Sequence, residues 1–272
     1  MLDWREHDQL TGKAGYYTIM VDFIKTWQHA LTSDQIAALQ RQPRHDFDAD
    51  STADRGPCIP YAGSNDPRPG QWDGRVMSKR MVADYKRFTV VDGEGVRCSL
   101  YVSGCPFHCE GCFQPSISSF STGVEYTSEL EDQIITDLGY DHVQGLTLLG
   151  GEPMLNTPIL IPLVKRVREE YGDSKDVWCW TGYTWEELHR EGETPDKLEL
   201  LSMVDVLVDG RFVKSLADPL LQFRGSSNQR IIDVRKSMEE GAVHIWDRLH
   251  DDEVKYVDHS VSERNAHEGV ES

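Results

Sequence analysis

The sequence lacks any run of apolar residues approaching the roughly 20 that a helix needs to cross a bilayer. Its first residues, MLDWREHDQL, lack the basic start and the apolar stretch of a secretion signal. It also lacks a positive balance of charge: the net charge is −18, whereas a nucleic-acid-binding surface is normally basic. We therefore expect a cytoplasmic protein that binds neither nucleic acid nor membrane.

Cysteine is scarce, with six residues in a chain of 272. Thiols stay reduced in the cytosol, so these cysteines indicate metal or redox chemistry before disulfides. Three of them, Cys105, Cys109 and Cys112, follow the spacing C-x3-C-x2-C directly after a predicted strand, RCSLYV. They share a loop with Gly104 and Gly111, which suits sulfur ligands converging from a tight turn.

Two kinds of metal centre are compatible with this loop. A four-iron cube held by three thiolates leaves one iron open to a substrate, as a catalytic site requires. A structural zinc takes four ligands, and Cys98 or His108 would have to supply the fourth. Cys98 lies within the predicted strand, and His108 directly precedes Cys109, where reaching the same ion is awkward. The spacing favours the iron–sulfur site and leaves zinc as the alternative.

A second motif follows about forty residues later, in GLTLLGGEPML. It places Gly150, Gly151 and Glu152 at the carboxyl end of an apolar strand, the end at which parallel sheets bind ligands. Glycines let a ligand approach the backbone closely. A backbone carbonyl or Glu152 could accept a hydrogen bond from an ammonium group, so this turn is a candidate binding site.

The chain divides into three zones by composition. Residues 1–80 are expected to be an N-terminal extension of short helices followed by a flexible linker rich in Pro, Gly, Asp and Ser. Residues 81–235 form the core, and residues 236–272 form an acidic C-terminal tail with a short helix near HIWDRL.

Strand and helix signals alternate within the core. The predicted strands are RCSLYV, GLTLL, VWCWT and VDVLV, and capping boxes at Ser128-x-x-Glu131 and Thr184-x-x-Glu187 mark two helix starts. Alternation of this kind implies crossover connections and a parallel sheet, so the predicted fold class is α/β. The pattern does not determine whether the sheet is open or closes into a barrel.

Other residues of the core are weighed in the same way. Cys98 and Cys179 lie in predicted strands and are expected to be small buried residues. Residues 180–183 end a strand on the expected ligand side, where packing and cofactor contact are both open. A polar run near the end of the core is either a solvated loop or part of a binding surface: Arg224, Ser226, Asn228 and Gln229.

The cysteine spacing followed by GGEP resembles the radical S-adenosylmethionine superfamily. RCSLYVSGCPFHCEGCFQPS, WTGYTWEEL, VDVLVDGRFV and FRGSSNQRIIDV further resemble, in order, stretches of the anaerobic ribonucleoside-triphosphate reductase activating proteins. The resemblance implies a parallel-stranded partial (β/α) barrel with a 4Fe–4S cluster on Cys105, Cys109 and Cys112. It also implies that S-adenosylmethionine contacts a set of residues from both motifs: Gly111, Cys112, Phe113, Gly150, Gly151 and Glu152.

The same resemblance implies an activity. A low-potential electron donor such as flavodoxin or ferredoxin would supply one electron, S-adenosylmethionine would be cleaved, and hydrogen would be taken from a glycine of the anaerobic reductase. No catalytic residue is expected beyond the cluster and the cofactor. The alternatives are an activating enzyme of another glycyl-radical enzyme, such as pyruvate formate-lyase, and a non-enzymatic zinc or redox module.

Overall fold

The computed structural model of the chain describes residues 67–248. The two predicted N-terminal helices, most of the predicted linker and Cys58 lie outside these residues. The described part opens with a short helix, α1 (Gly74–Met77), and leads directly into the first strand. Among the described residues, no helix has both the length and the apolar character needed to span a membrane.

Seven strands form one sheet in the described part. In chain order they are β1 (Met81–Thr89), β2 (Val96–Val102), β3 (Val124–Glu125), β4 (Val143–Gly150), β5 (Asp176–Trp180), β6 (Val206–Asp209) and β7 (Arg230–Asp233). Their spatial order is β3-β1-β2-β4-β5-β6-β7, which leaves β3 and β7 at the two edges. The predicted α/β class is confirmed.

The four strands predicted from the sequence form the middle of the sheet. β2, β4, β5 and β6 pair in parallel, and nearly all of their residues are buried. Parallel neighbours need long crossovers, which the helices supply: α2 (Ser128–Leu138), α3 (Thr157–Tyr171), α4 (Trp185–His189) and α5 (Pro195–Leu201). All three crossovers therefore bring the strands' carboxyl ends to one edge.

Three strands were not predicted, and all three pair antiparallel. β1 lies between β2 and β3, and β7 pairs with β6. β1 is mostly half-buried and its register shifts twice against β2, so its sequence shows no clean alternation. The sheet is therefore mixed, with parallel pairing limited to its middle.

The helix caps partly follow the sequence. The capping box of Thr184 and Glu187 is present at the start of α4. The box predicted at Ser128 is wrong by one residue, because Thr127 has the extended backbone and its side chain accepts the N–H of Leu130. Ser128 is already the first residue of the helix.

The helix predicted near HIWDRL is also wrong. A helix, α6 (Val234–Glu240), comes earlier, and the chain then runs extended so that Ile245 bridges Ile232 of β7. Trp246 is 3% exposed and packs edge-on to Trp178, with ring centroids 5.0 Å apart. Side chains alternate between the two faces of a strand, so this aromatic cluster covers the face of β5 opposite the main core.

Candidate metal centre

The cysteine loop, residues 103–114, begins where β2 ends. Its base is closed by two backbone hydrogen bonds, from Gly104 N–H to the Ile117 carbonyl (2.8 Å) and from Cys105 N–H to the Ser118 carbonyl (2.9 Å). Left-handed backbone at His108 (φ +51°) and Gly111 (φ +76°) turns the chain sharply inside the loop. The sequence between the cysteines is thus folded back on itself.

The three thiols of this loop differ in how deeply they are buried. Cys105 and Cys109 are half-buried and Cys112 is exposed. Burial, followed by the charge of Glu152, raises the pKa of Cys105, and burial also raises the pKa of Cys109. Thiols of this kind keep their protons until a metal displaces them.

The fit to a metal rests on donor type. Within residues 67–248, no group of three or more His, Cys, Asp or Glu side chains is arranged so that it could hold a metal ion. The assignment of Cys105, Cys109 and Cys112 as ligands therefore stays a prediction. Three sulfur donors on one short, glycine-containing loop are nonetheless the donor set that iron–sulfur clusters use, so the residues fit that group.

Cys98 and Cys179 are both fully buried in the main core, as predicted. The Cys98 thiol donates to the Arg87 carbonyl (3.0 Å), and burial raises its pKa to about 11. Because this thiol already donates a hydrogen bond to β1, it is a poor candidate for a fourth zinc ligand.

The GGEP turn lies directly against the base of the cysteine loop. Gly151 N–H donates to the Val102 carbonyl (2.7 Å), and Glu152 N–H donates to the Gly104 carbonyl (2.8 Å). A Cβ at Gly151 would lie within 2.8 Å of backbone atoms of Gly104, and Gly150 has a φ of +114°. Only glycines allow this approach, so the structure brings the two predicted motifs together.

Glu152 connects the GGEP turn to the end of β5. Its side chain is 1% exposed and accepts from Met154 N–H (2.9 Å), the Thr181 hydroxyl (2.7 Å) and Gly182 N–H (2.8 Å). Burial raises the pKa of this carboxyl to about 7 despite those donors. Because both carboxyl oxygens are already used, the backbone of the GGEP turn is better placed than this side chain to meet an ammonium group.

We expect Glu152→Gln to remove a pH dependence of stability. A folded-state pKa near 7 lies above the ordinary value of 4.5, so the folded protein binds this proton more tightly. The resulting stability is complete below pH 4.5 and is lost as pH rises towards 7, roughly 3 kcal/mol in all. Urea unfolding of both proteins between pH 4.5 and 8 should show the free-energy difference changing across that window.

The control for this change is Glu170→Gln, at an exposed position on α3. Its stability profile should run parallel to that of the unmodified chain. Parallel profiles for Glu152→Gln as well would contradict the assignment of the raised pKa.

Phe107, inside the cysteine loop, was not singled out by the sequence. Phe107 is 5% exposed, and its ring centroid lies 5.1 Å from both Trp72 and Tyr183. A Cβ at Gly182 would lie 2.5 Å from the Phe107 ring, so this ring is pressed against the end of β5. The available signal was an apolar residue inside the metal motif, CPFHC, where a solvated loop would carry a polar one.

The predicted cofactor residues of the cysteine loop lie at its outer side. Gly111 and Cys112 are exposed, and Phe113 is 69% exposed with its ring 5.1 Å from that of Phe212. The polar run at residues 224–229 lies behind Phe212 and is bonded to the segment that carries it. The polar run therefore supports residues 210–213 within the fold.

Known proteins are similar to this chain over the region that contains the candidate site. A family model described as a 4Fe-4S single cluster domain matches residues 91–232. Proteins named anaerobic ribonucleoside-triphosphate reductase-activating protein are similar to this chain: that of Haemophilus influenzae is 47% identical over 146 residues, 52% of this chain and 90% of the relative. That of Vibrio cholerae is 47% identical over 151 residues (54% and 94%), and that of Escherichia coli K12 is 41% identical over 155 residues (56% and 97%).

The matched region contains both motifs, all four parallel strands and the loops that follow them. The matches to the three relatives take in nearly the whole of each relative and about half of this chain. The chain belongs to the family of anaerobic ribonucleoside-triphosphate reductase-activating proteins, which are glycyl-radical activating enzymes of the radical S-adenosylmethionine oxidoreductase type.

Proposed function

We propose that this chain generates a glycyl radical in an anaerobic ribonucleoside-triphosphate reductase, using a 4Fe–4S cluster and S-adenosylmethionine. When bound, the cluster and cofactor would supply the radical chemistry, with one electron coming from a low-potential donor such as flavodoxin or ferredoxin and the hydrogen coming from a glycine of the reductase. The observation that carries the proposal is the direct contact between the cysteine loop and the GGEP turn.

In this proposal Cys105, Cys109 and Cys112 hold the cluster. Gly150 and Gly151 offer backbone to the methionine part of the cofactor, and Glu152 fixes their position through its three hydrogen bonds. The remaining cofactor contacts come from the outer side of the cysteine loop: Gly111, Cys112 and Phe113. This arrangement needs no further acid or base from the chain.

The site must also keep water away from a reactive carbon radical. The inner side of the cysteine loop is apolar, because Phe107 is 5% exposed and its ring packs against those of Trp72 and Tyr183. We propose that the sheet curves as a partial barrel with the cofactor inside its carboxyl edge. The common carboxyl edge of the four parallel strands supports that geometry.

Pyruvate formate-lyase activation is the alternative with the same chemistry and a different partner. The named relatives do not favour it. A zinc module is opposed by the bonded thiol of Cys98 and by the iron–sulfur family match.

Electron paramagnetic resonance of the reductase tests the function directly. The chain, reconstituted with iron and sulfide, is mixed anaerobically with reductase, a reductant and S-adenosylmethionine. We expect a glycine-centred doublet in the reductase, together with methionine and 5′-deoxyadenosine as products.

Pyruvate formate-lyase replaces the reductase in the comparison reaction. A doublet there and none in the reductase would transfer the assignment to the alternative partner. Reconstituted protein that binds iron yet leaves S-adenosylmethionine uncleaved would overturn the radical chemistry itself.

A further inference from the structure

The segment that follows β6, residues 210–214, is called the β6 loop here. It is held from behind by the polar run, because Gln229 Nε2 donates to the Gly210 carbonyl (2.9 Å) and Asn228 Nδ2 donates to the Arg211 carbonyl (2.9 Å). Val213 N–H donates to the Ser226 hydroxyl (3.1 Å). Side-chain bonds to successive backbone groups fix the path of this loop.

The front of the β6 loop faces the cysteine loop. Arg211 is 5% exposed, and its guanidinium carbon lies 4.7 Å from the centroid of the Phe107 ring. The same guanidinium donates to both carboxylate oxygens of Glu187 (2.8 and 3.1 Å). Glu187 is itself fixed by the capping box at the start of α4. A planar fork held this way presents its face to the ring in one orientation.

The next residue reaches the metal motif itself. Gly111 of the cysteine loop lies against Phe212, because a Cβ added at Gly111 would be 3.4 Å from the Phe212 ring. The ring of Phe212 packs 5.1 Å from that of Phe113. Lys214 pairs with Glu110 (2.8 Å), but both side chains are more than half exposed, so that pair contributes little.

We propose that the β6 loop is a clamp that positions the cysteine loop, with Arg211 acting through Phe107 and the ring of Phe212 acting through Phe113. This proposal rests on the proposed function, since it concerns retention and potential of the cluster. A buried arginine–glutamate pair is a weak source of stability compared with apolar packing. Its placement against the metal motif is explained by positioning, because hydrogen bonds and charge at the sulfurs set the properties of an iron–sulfur centre.

The test uses the whole chain with Arg211→Met combined with Glu187→Gln, so that no unpaired carboxylate is left buried. We expect the cluster to lose iron to a chelator about 10- to 100-fold faster, the range typical of lost outer-shell contacts. We also expect the midpoint potential to differ from that of the unmodified protein, because the orientation of the cysteine loop and the polar groups beside it set the potential. Unfolding of the metal-free protein is measured alongside.

Two further variants separate positioning from general stability. Arg211→Lys keeps the charge and loses the fork, so its potential should stay near that of the unmodified protein while iron loss accelerates. Arg166→Met removes another arginine, one that joins α3 to α2 through Glu131 (3.1 Å) and Asp132 (2.6 Å). It should leave iron loss and potential unchanged.

Iron loss and potential equal to those of the unmodified chain in both Arg211 variants would overturn the clamp. If the double variant fails to fold, Arg211→Lys alone decides, through its rate of iron loss. If the unmodified chain takes up no iron, the proposed function fails instead, so the two failures are distinguishable.

Discussion

Replacing Cys109 by serine is expected to abolish cluster binding and glycyl-radical formation together. The hydroxyl is a poor iron ligand, and two remaining thiolates cannot hold a cube with one open corner. We expect iron and sulfide content, measured after anaerobic reconstitution, to fall more than about 10-fold, since losing a ligand costs at least as much as losing its supporting contacts. The visible absorbance of the cluster should disappear with it.

Cys98→Ala is the matched control for that loss. This cysteine lies in β2, the strand that leads into the cysteine loop, and its thiol donates to the Arg87 carbonyl (3.0 Å). Its removal should leave iron content and radical yield unchanged, at a modest cost in stability. Loss of metal from Cys98→Ala would return the site to a four-ligand zinc. Normal iron content in Cys109→Ser would remove Cys109 from the ligand set.

The second large effect is expected from a single methyl group. Gly151→Ala would place Cβ within 2.8 Å of the backbone nitrogen and carbon of Gly104. Neither backbone can move without breaking the hydrogen bond from Glu152 N–H to the Gly104 carbonyl. We expect a loss of roughly 2–3 kcal/mol in the unfolding free energy of the metal-free protein, and reduced iron retention because the cysteine loop starts at Gly104.

Gly241→Ala, at the end of α6, provides the same chemical change in open space. Apart from its own chain neighbours, no atom lies within 4 Å of the added carbon, and the backbone is left-handed (φ +67°, ψ +19°). Only the left-handed strain of about 1–2 kcal/mol is expected there, with no effect on iron. Equal iron retention in Gly151→Ala and Gly241→Ala would show that contact between the two motifs is not needed to shape the metal loop.

The four parallel strands could be predicted because burial on both faces leaves a continuous apolar run. β1, β3 and β7 could not, since edge and antiparallel strands depend on a partner: β3 has only two residues, both exposed. The extended path at Ile245 and Trp246 has the same cause. Its side chains pack beside Ile232 and Trp178. Neither of these partners belongs to the local sequence, so the local pattern does not predict the extended path.

The candidate site also has a part that the sequence predicts and a part that it does not. The cysteines and the GGEP turn are contiguous motifs, so the sequence alone marks them as candidate sites. The contacts of Arg211 and Phe107 join segments about a hundred residues apart, and no local pattern records that meeting. Gln229 belongs to the polar run noticed in the sequence, yet its partner is the carbonyl of Gly210, which only the fold identifies.

The indole of Trp246 lies beyond residue 232, where the shared domain stops. A fragment trimmed to that domain would expose one aromatic face of Trp178 to solvent. Such an exposed apolar patch favours aggregation. Boundaries for crystallisation or for a fused reporter therefore belong after Arg248, which also joins this segment to Glu94 (2.7 Å).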